Sequence, residues 1–154
     1  MEAFATIDIV IKILVAIGLG TIIGLERTLA GKIAGMRTYA MVSLGSSLFV
    51  LISENILSGF SNPSLANPLL IISAVITGIG FIGAGLIISQ NDKIIGLTTA
   101  AGLWVSAGVG IACGLGLFTL ATIVTIATLF VFTFEKFLED FVKKYSYKTG
   151  DGQK

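Results

Sequence analysis

Two long stretches without a charged side chain constrain the fold of this chain most strongly. Residues 55–91 contain no Lys, Arg, Asp or Glu, and neither do residues 94–134. About 20 apolar residues suffice for one helical crossing of a bilayer, so each stretch must fold back or contain a break. Charged residues make up 12% of the chain, against roughly 25% in a soluble domain. The sequence therefore predicts an all-α integral membrane protein.

Five membrane-spanning helices are expected within a transmembrane domain of residues 1–134. Their approximate ranges are 9–25, 38–56, 69–89, 96–114 and 115–134. The third range follows Pro68, which suits the first turn of a helix. The last two are separated by Gly114 and Gly116, which permit a tight turn.

Residues 135–154 are predicted to form an amphipathic cytoplasmic tail. Apolar residues recur at helical spacing from Phe134 to Tyr145, and Glu139 and Lys143 are an acid–base pair four residues apart. Two interpretations are open. Either the last membrane helix continues and packs on a neighbour, or the tail is an interfacial helix or a docking site for a partner.

The distribution of basic residues predicts the orientation. Lys and Arg occur in the first and third predicted loops and in the tail, whereas the second and fourth loops have none. Short basic loops remain on the cytoplasmic side of a membrane. With five spans, this rule places the N-terminus outside and the C-terminus in the cytoplasm.

The residue types present argue against several other classes of protein. The chain has no His and a single Cys, Cys113, which argues against a zinc site or a disulfide framework. No basic face lies outside the loops and the tail, so nucleic-acid binding is not expected. No nucleophile–base pair is visible. We therefore expect no enzyme activity, no catalytic residue, no metal site and no cofactor.

A short sequence occurs twice, at Gly24 and again 61 residues later at Gly85. The copies read GLERTLAGKIAGMRT and GLIISQNDKIIGLTT, with identical residues at six of fifteen aligned positions. Each copy joins the end of one predicted helix to the start of the next. We therefore predict two hairpins in the same orientation, related by an axis along the membrane normal. The retained Gly and Thr residues predict a shared turn geometry.

The two hairpin tips contain the candidate functional residues. These are the charged and hydroxyl groups Glu26, Arg27, Arg37, Thr38, Thr98 and Thr99. The threonines can cap free N–H groups where the next helix begins. Glu26 can pair with Arg27 or Arg37, and we expect Glu26 and Arg37 to be energetically coupled. The set forms either a structural lock or a small polar site for an ion or solute.

Small residues recur every four positions on the predicted helices, a pattern that lets helices approach closely in lipid. The candidate packing or interface residues are Gly20, Gly24, Gly83, Gly85, Gly102, Trp104, Ser106 and Gly110. Three roles are open for them: packing between helices within the chain, formation of a dimer interface, or close approach to a permeating species. Trp104 is too deep for an interfacial belt, and we expect it to pack against a glycine surface.

The sequences GLERTLAGKIAGMRT, GIGFIGAG and GLTTAAGLW resemble, in this order and spacing, the membrane domain of the MgtC/SapB family over about residues 9–134. The motif positions implied by the resemblance are Gly24, Leu25, Glu26, Arg27, Gly35, Arg37, Thr38, Gly83, Gly85, Gly96, Thr98, Thr99 and Trp104. The chain departs from the family pattern at Thr28, Tyr39 and Ile95, where members commonly have an acidic residue, His and Arg. We expect a short member that consists of the membrane domain.

The resemblance implies a bacterial inner-membrane protein of magnesium homeostasis, stress adaptation and virulence. The expected function is modulation of ion homeostasis through another membrane protein, with the bilayer and a second copy of the chain as further partners. The alternative is a small ion or solute transporter with its polar site at the cytoplasmic ends of the hairpins. Against it, Glu26 and Glu54 lie near the ends of predicted helices rather than deep in a span.

Overall fold

The computed structural model describes residues 2–58, 68–90 and 93–149. The elements in chain order are α1 (Glu2–Leu29), α2 (Met36–Ser58), α3 (Pro68–Leu86), β1 (Ile88–Gln90), β2 (Lys93–Ile95), α4 (Leu97–Gly114) and α5 (Phe118–Thr149). In this described part, the stretches long and apolar enough to cross a membrane are Thr6–Leu29, Met36–Ile56, Leu69–Leu86 and Leu97–Gly114. A shorter apolar stretch, Phe118–Phe134, lies in α5. The expected class of all-α integral membrane protein is confirmed.

Helix α4 is central, and α3 is peripheral. In the spans of these helices, 67% of α4 is buried inside the protein but 11% of α3. Helices α1, α2 and α4 pack against one another, and α5 covers α1 and α4. Helix α3 contacts α4 and, less extensively, α2. The architecture is therefore a tight group of three helices with α5 and α3 attached to it.

The tight contacts follow from glycine and serine at the helix crossings. The Ser43 hydroxyl of α2 donates to the Ala16 carbonyl of α1 over 2.8 Å, and the Ser106 hydroxyl of α4 donates to the Tyr39 carbonyl over 2.9 Å. A Cβ on Gly110 would overlap the backbone carbonyl of Ser43. Because Gly110 lacks a side chain, the backbones of α2 and α4 come close together. This close approach permits hydrogen bonds from a hydroxyl of one helix to the backbone of another.

The turn between α4 and α5 lies at the predicted break. Gly116 has φ +74, in the left-handed region that glycine adopts without strain. The Leu117 N–H donates to the Ala112 carbonyl over 2.8 Å, which closes the end of α4. Helix α5 then continues without a break to Thr149. In the tail, the last membrane helix therefore continues, as one of the two interpretations expects. The packing of its last side chains is not part of the described structure, and neither are residues 150–154.

The second copy of the repeat folds differently from the first, so the expectation of a shared turn geometry is wrong. Helix α3 ends at Leu86 instead of near residue 89, and β1 pairs with β2 as an antiparallel hairpin. The β-branched isoleucines of this copy favour extended backbone. The aligned glycines Gly35 and Gly96 also differ. Gly96 has φ +91, whereas in the first copy the positive φ is at Gly31.

Candidate functional site

A buried ion pair lies near the end of α1. Arg27 is in the last turn of the helix, and its side chain is 4% exposed. Its Nε donates to the carboxylate of Glu26, whose side chain is 18% exposed. The guanidinium carbon lies 3.6 Å from the centre of the Phe132 ring of α5, a cation–π contact. Two adjacent residues of α1 thus form an ion pair that an aromatic ring of α5 covers.

Tyr39 connects this ion pair to α2 and α4. Its side chain is fully buried, and its hydroxyl donates to the Thr99 carbonyl over 3.0 Å. A Cβ on Gly102 would overlap the Tyr39 hydroxyl and lie 2.7 Å from the ring of Phe132. Tyr39 and Phe132 therefore meet over Gly102. We call Glu26, Arg27, Tyr39, Thr99 and Phe132 the Arg27 cluster; it joins α1, α2, α4 and α5.

Arg37 does not take part in this cluster. Its side chain is exposed at the start of α2, and it forms no ion pair within the described residues. Glu26 is instead paired with Arg27. The structure thus offers no contact for the expected coupling of Glu26 with Arg37. The physical reason is direction: Arg27 points into the bundle from α1, and Arg37 points away from it.

The expected threonine caps are wrong. The residue that caps α4 is Gly96, which makes no side-chain capping bond. Thr98 is exposed, and Thr99 contributes its backbone carbonyl. Thr38 is half-buried and lines a groove described below.

Thr28 caps α2 and was missed by the sequence analysis. Its hydroxyl accepts the Met36 N–H over 3.0 Å and donates to the Gly24 carbonyl over 3.0 Å. Gly35 faces this hydroxyl, where a Cβ would overlap it. A hydroxyl eight residues before the helix is not in a capping position by spacing, so sequence alone gave no signal.

The small residues expected to pack occupy three different environments. Those in the interior contacts between helices are Gly20, Gly24, Gly102, Ser106 and Gly110. A Cβ added to Gly83 would lie 3.6 Å from the Ala100 Cβ, an ordinary contact distance, and one added to Gly85 would have no neighbour within 4 Å.

Trp104 is 53% exposed, so the expectation that it packs against a glycine surface is wrong. It lies two residues from both Gly102 and Ser106, which places it on the opposite side of α4 from the face that packs on α2.

A groove of about 730 Å³ opens between α2 and α3, and no pattern in the sequence predicts it. Helix α2 contributes Thr38, Met41, Val42, Gly45, Ser46 and Phe49. The α3 side is entirely apolar, from Ile71 to Ile82. The groove is therefore a hydrophobic feature on the outside of the three-helix core.

A second charged group lies away from the Arg27 cluster. The Lys12 ammonium of α1 is 3.2 Å from the Asp8 carboxylate and 3.3 Å from the Glu54 carboxylate of α2. Both acidic side chains are largely exposed. This group links α1 and α2 near the start of α1 and the end of α2.

Ser47 has a buried hydroxyl without a hydrogen-bond partner in the described part of the chain. Because such a hydroxyl has lost its water without compensation, we expect Ser47→Ala to raise the free energy of unfolding by about 1 kcal/mol. Thermal unfolding in detergent measures this change. Ser106→Ala is the matched control and is expected to destabilise, since its hydroxyl is bonded to Tyr39. Equal destabilisation by both variants would contradict the prediction.

These features define a class: a small helical membrane protein whose interior is filled by glycine-mediated helix contacts and a buried Glu–Arg pair. A family model described as the MgtC family matches residues 13–141. The chain belongs to the MgtC family.

Similar proteins occur in several bacteria. The chain is 44% identical over 104 residues to YhiD of Escherichia coli (strain K12), named as a candidate magnesium transporter; the match covers 64% of this chain and 46% of YhiD. It is 38% identical over 97 residues to SapB of Bacillus subtilis (strain 168), covering 61% and 42% of the two chains. It is 39% identical over 85 residues to MgtC of Brucella abortus (strain 2308), covering 55% and 33%.

The chain spans less than half the length of each of these relatives. No solved structure matches it. The membrane-spanning helices and the bacterial members of the family identify it as a bacterial membrane protein.

Proposed function

We propose that this protein modulates magnesium-linked ion homeostasis, in stress or virulence adaptation, without catalysing a reaction or transporting an ion itself. It acts on other membrane proteins from the inner membrane, with its N-terminus outside and its C-terminus in the cytoplasm. A second copy of the chain is a further partner. The link to magnesium rests on family membership and on the name of YhiD.

The observation that carries the proposal is the filled interior. No space is left between α2 and α4 at two glycines. Gly110 lies against the Ser43 backbone, and a Cβ on Gly114 would lie 2.8 Å from the Val50 side chain. The α1–α2 crossing is closed at Gly20 in the same way. A conduction path along this three-helix interface needs space between the backbones. Their direct contact favours a structural core over a pathway.

The freely accessible face of α3 supports action on a partner. This helix touches the rest of the bundle on one side, and Phe81 on its other side is 85% exposed. A Cβ added to Gly80 would have no neighbour within 4 Å. Small residues on a lipid-facing helix permit close approach by another transmembrane helix.

A transporter remains the second candidate, and a specific observation favours it. The Arg27 cluster places a Glu, an Arg and a buried Tyr at the hairpin tips, and ionisable groups within membrane proteins often mark pathways. In this alternative, Glu26 takes part in binding the transported ion.

Flux measurements with the purified full chain in liposomes separate the two functions. We expect Mg²⁺, proton and potassium fluxes equal to those of protein-free liposomes. Each flux is followed with an ion-sensitive dye, and an ionophore verifies that the dye responds. Glu26→Gln tests the polar site, and Glu54→Gln is the matched control at the other charged group. Robust flux that Glu26→Gln abolishes and Glu54→Gln retains would replace the modulator with the transporter.

A further inference from the structure

The groove between α2 and α3 has the length of one bilayer leaflet. Its lining runs from Thr38 to Phe49 on α2 and from Ile71 to Ile82 on α3. At 1.5 Å per residue, each wall is about 17 Å long. The hydrocarbon core of a bilayer is about 30 Å thick, so one leaflet contributes about 15 Å. On α2 the groove begins near the start of the helix, and on α3 it extends over the middle of the helix, from Ile71 to Ile82.

The lining has the chemistry of an acyl-chain site. Ten of its twelve residues are apolar or glycine, and the other two are Thr38 and Ser46. Gly45 and Gly78 face each other's helices across the groove with no atom within 4 Å of an added Cβ. These glycines keep the groove open, and the surrounding solvent at this depth is lipid.

The groove holds about 730 Å³, which leaves room for a flexible hydrocarbon chain.

A basic residue directly precedes Thr38, the first lining residue of the groove on α2. Arg37 is exposed, has no ion pair among the described residues, and lies one turn before Met41 on the same face of α2. No acidic residue lies in the first turn of α2, and the positive end of the helix dipole is there. This charge is complementary to a phosphate group.

We propose that the α2–α3 groove binds one acyl chain of an anionic phospholipid, whose phosphate lies at Arg37. Basic positions beside transmembrane helices recognise anionic headgroups by this combination of charge and depth. The site gives Arg37 a role that the Arg27 cluster does not. The inference goes beyond the proposed function and does not depend on it, because a modulator and a transporter could each carry a bound lipid.

Native mass spectrometry of the full chain in detergent tests the proposal, with dioleoyl-phosphatidylglycerol, dioleoyl-phosphatidylethanolamine and glycerol phosphate as probes. We expect phosphatidylglycerol to bind about fivefold more tightly than phosphatidylethanolamine, the contribution of one basic residue near an anionic headgroup. Arg37→Gln is expected to remove this preference. Lys32→Gln, at an exposed basic residue of the loop before α2, is expected to retain it.

Two further variants test the groove itself. Gly78→Leu places a side chain in the groove and is expected to weaken binding of both lipids at least fivefold. Gly108→Leu is the matched control, at an exposed glycine of α4 with no neighbour within 4 Å. Gly45→Leu repeats the test from the other wall, should Gly78→Leu fail to fold.

Four results would overturn the proposal. The first is equal affinity for the two lipids in the unsubstituted protein. The second is binding that neither groove variant weakens. The third is a dimer that forms without lipid and is lost in Gly78→Leu, since a second copy would then occupy the groove. Binding of glycerol phosphate as tight as the lipid would also contradict an acyl-chain site.

Discussion

Gly110→Leu is expected to destabilise the three-helix core strongly. A Cβ at Gly110 would overlap the backbone carbonyl of Ser43, and a backbone cannot move aside without displacing all of α2. Overpacking of a tight site costs about 1–3 kcal/mol, and contact with a backbone places this variant at or above the upper end. Total stabilities are about 5–15 kcal/mol. The measurement is the yield of monodisperse protein after membrane extraction, followed by thermal unfolding.

Gly108→Leu is the control for this variant. Gly108 lies two residues away on α4, is exposed and has no neighbour within 4 Å. We expect it to fold with the stability of the unsubstituted protein. If Gly110→Leu and Gly108→Leu gave equal yields, the α2–α4 contact at Ser43 would not be present in the membrane.

Arg27→Met is expected to destabilise the protein by about 3–5 kcal/mol, the cost of breaking a buried ion pair from one side. The variant leaves the Glu26 carboxylate in a largely buried position without its partner and removes the contact with Phe132. Arg37→Met is the control; it removes an exposed arginine that has no ion pair in the described chain, and we expect unchanged stability. Reversible unfolding in detergent or SDS gives both values.

A double-mutant cycle identifies the partner of Glu26. Glu26→Gln combined with Arg27→Met is expected to cost less than the sum of the single changes, because neither charge is then left alone. Glu26→Gln combined with Arg37→Met is expected to be additive. Additivity in the first cycle would contradict the Glu26–Arg27 pair, and coupling in the second would mean that Glu26 pairs with Arg37 in the membrane.

The helices and one turn were predictable because they depend on local chemistry. Charge-free stretches much longer than a bilayer crossing require several spans, and Gly114 and Gly116 permit a turn whatever surrounds them. The structure turns at that point, with Gly116 in the left-handed region. The resemblance to the MgtC/SapB family was likewise visible in short motifs, and the family model confirms it.

The partners of individual side chains were not predictable in the same way. The spacing of Gly102, Ser106 and Gly110 indicated a packed face of α4, but nothing in it named Ser43 and Tyr39 of α2 as the opposing residues. The same spacing did not place Trp104, which lies on the outside of the helix. Periodicity gives the faces of one helix and leaves the docking of two helices open.

The sequence by itself determined the class of protein and the family, since apolar length and short motifs act within one segment. The tertiary structure decided which charge Glu26 meets, because Arg27 and Arg37 are separated by the direction in which α1 and α2 present them. It also decided that Thr28 caps α2 and that a groove opens between α2 and α3. Each of these features depends on the distance between two elements, and that distance is fixed when the helices pack.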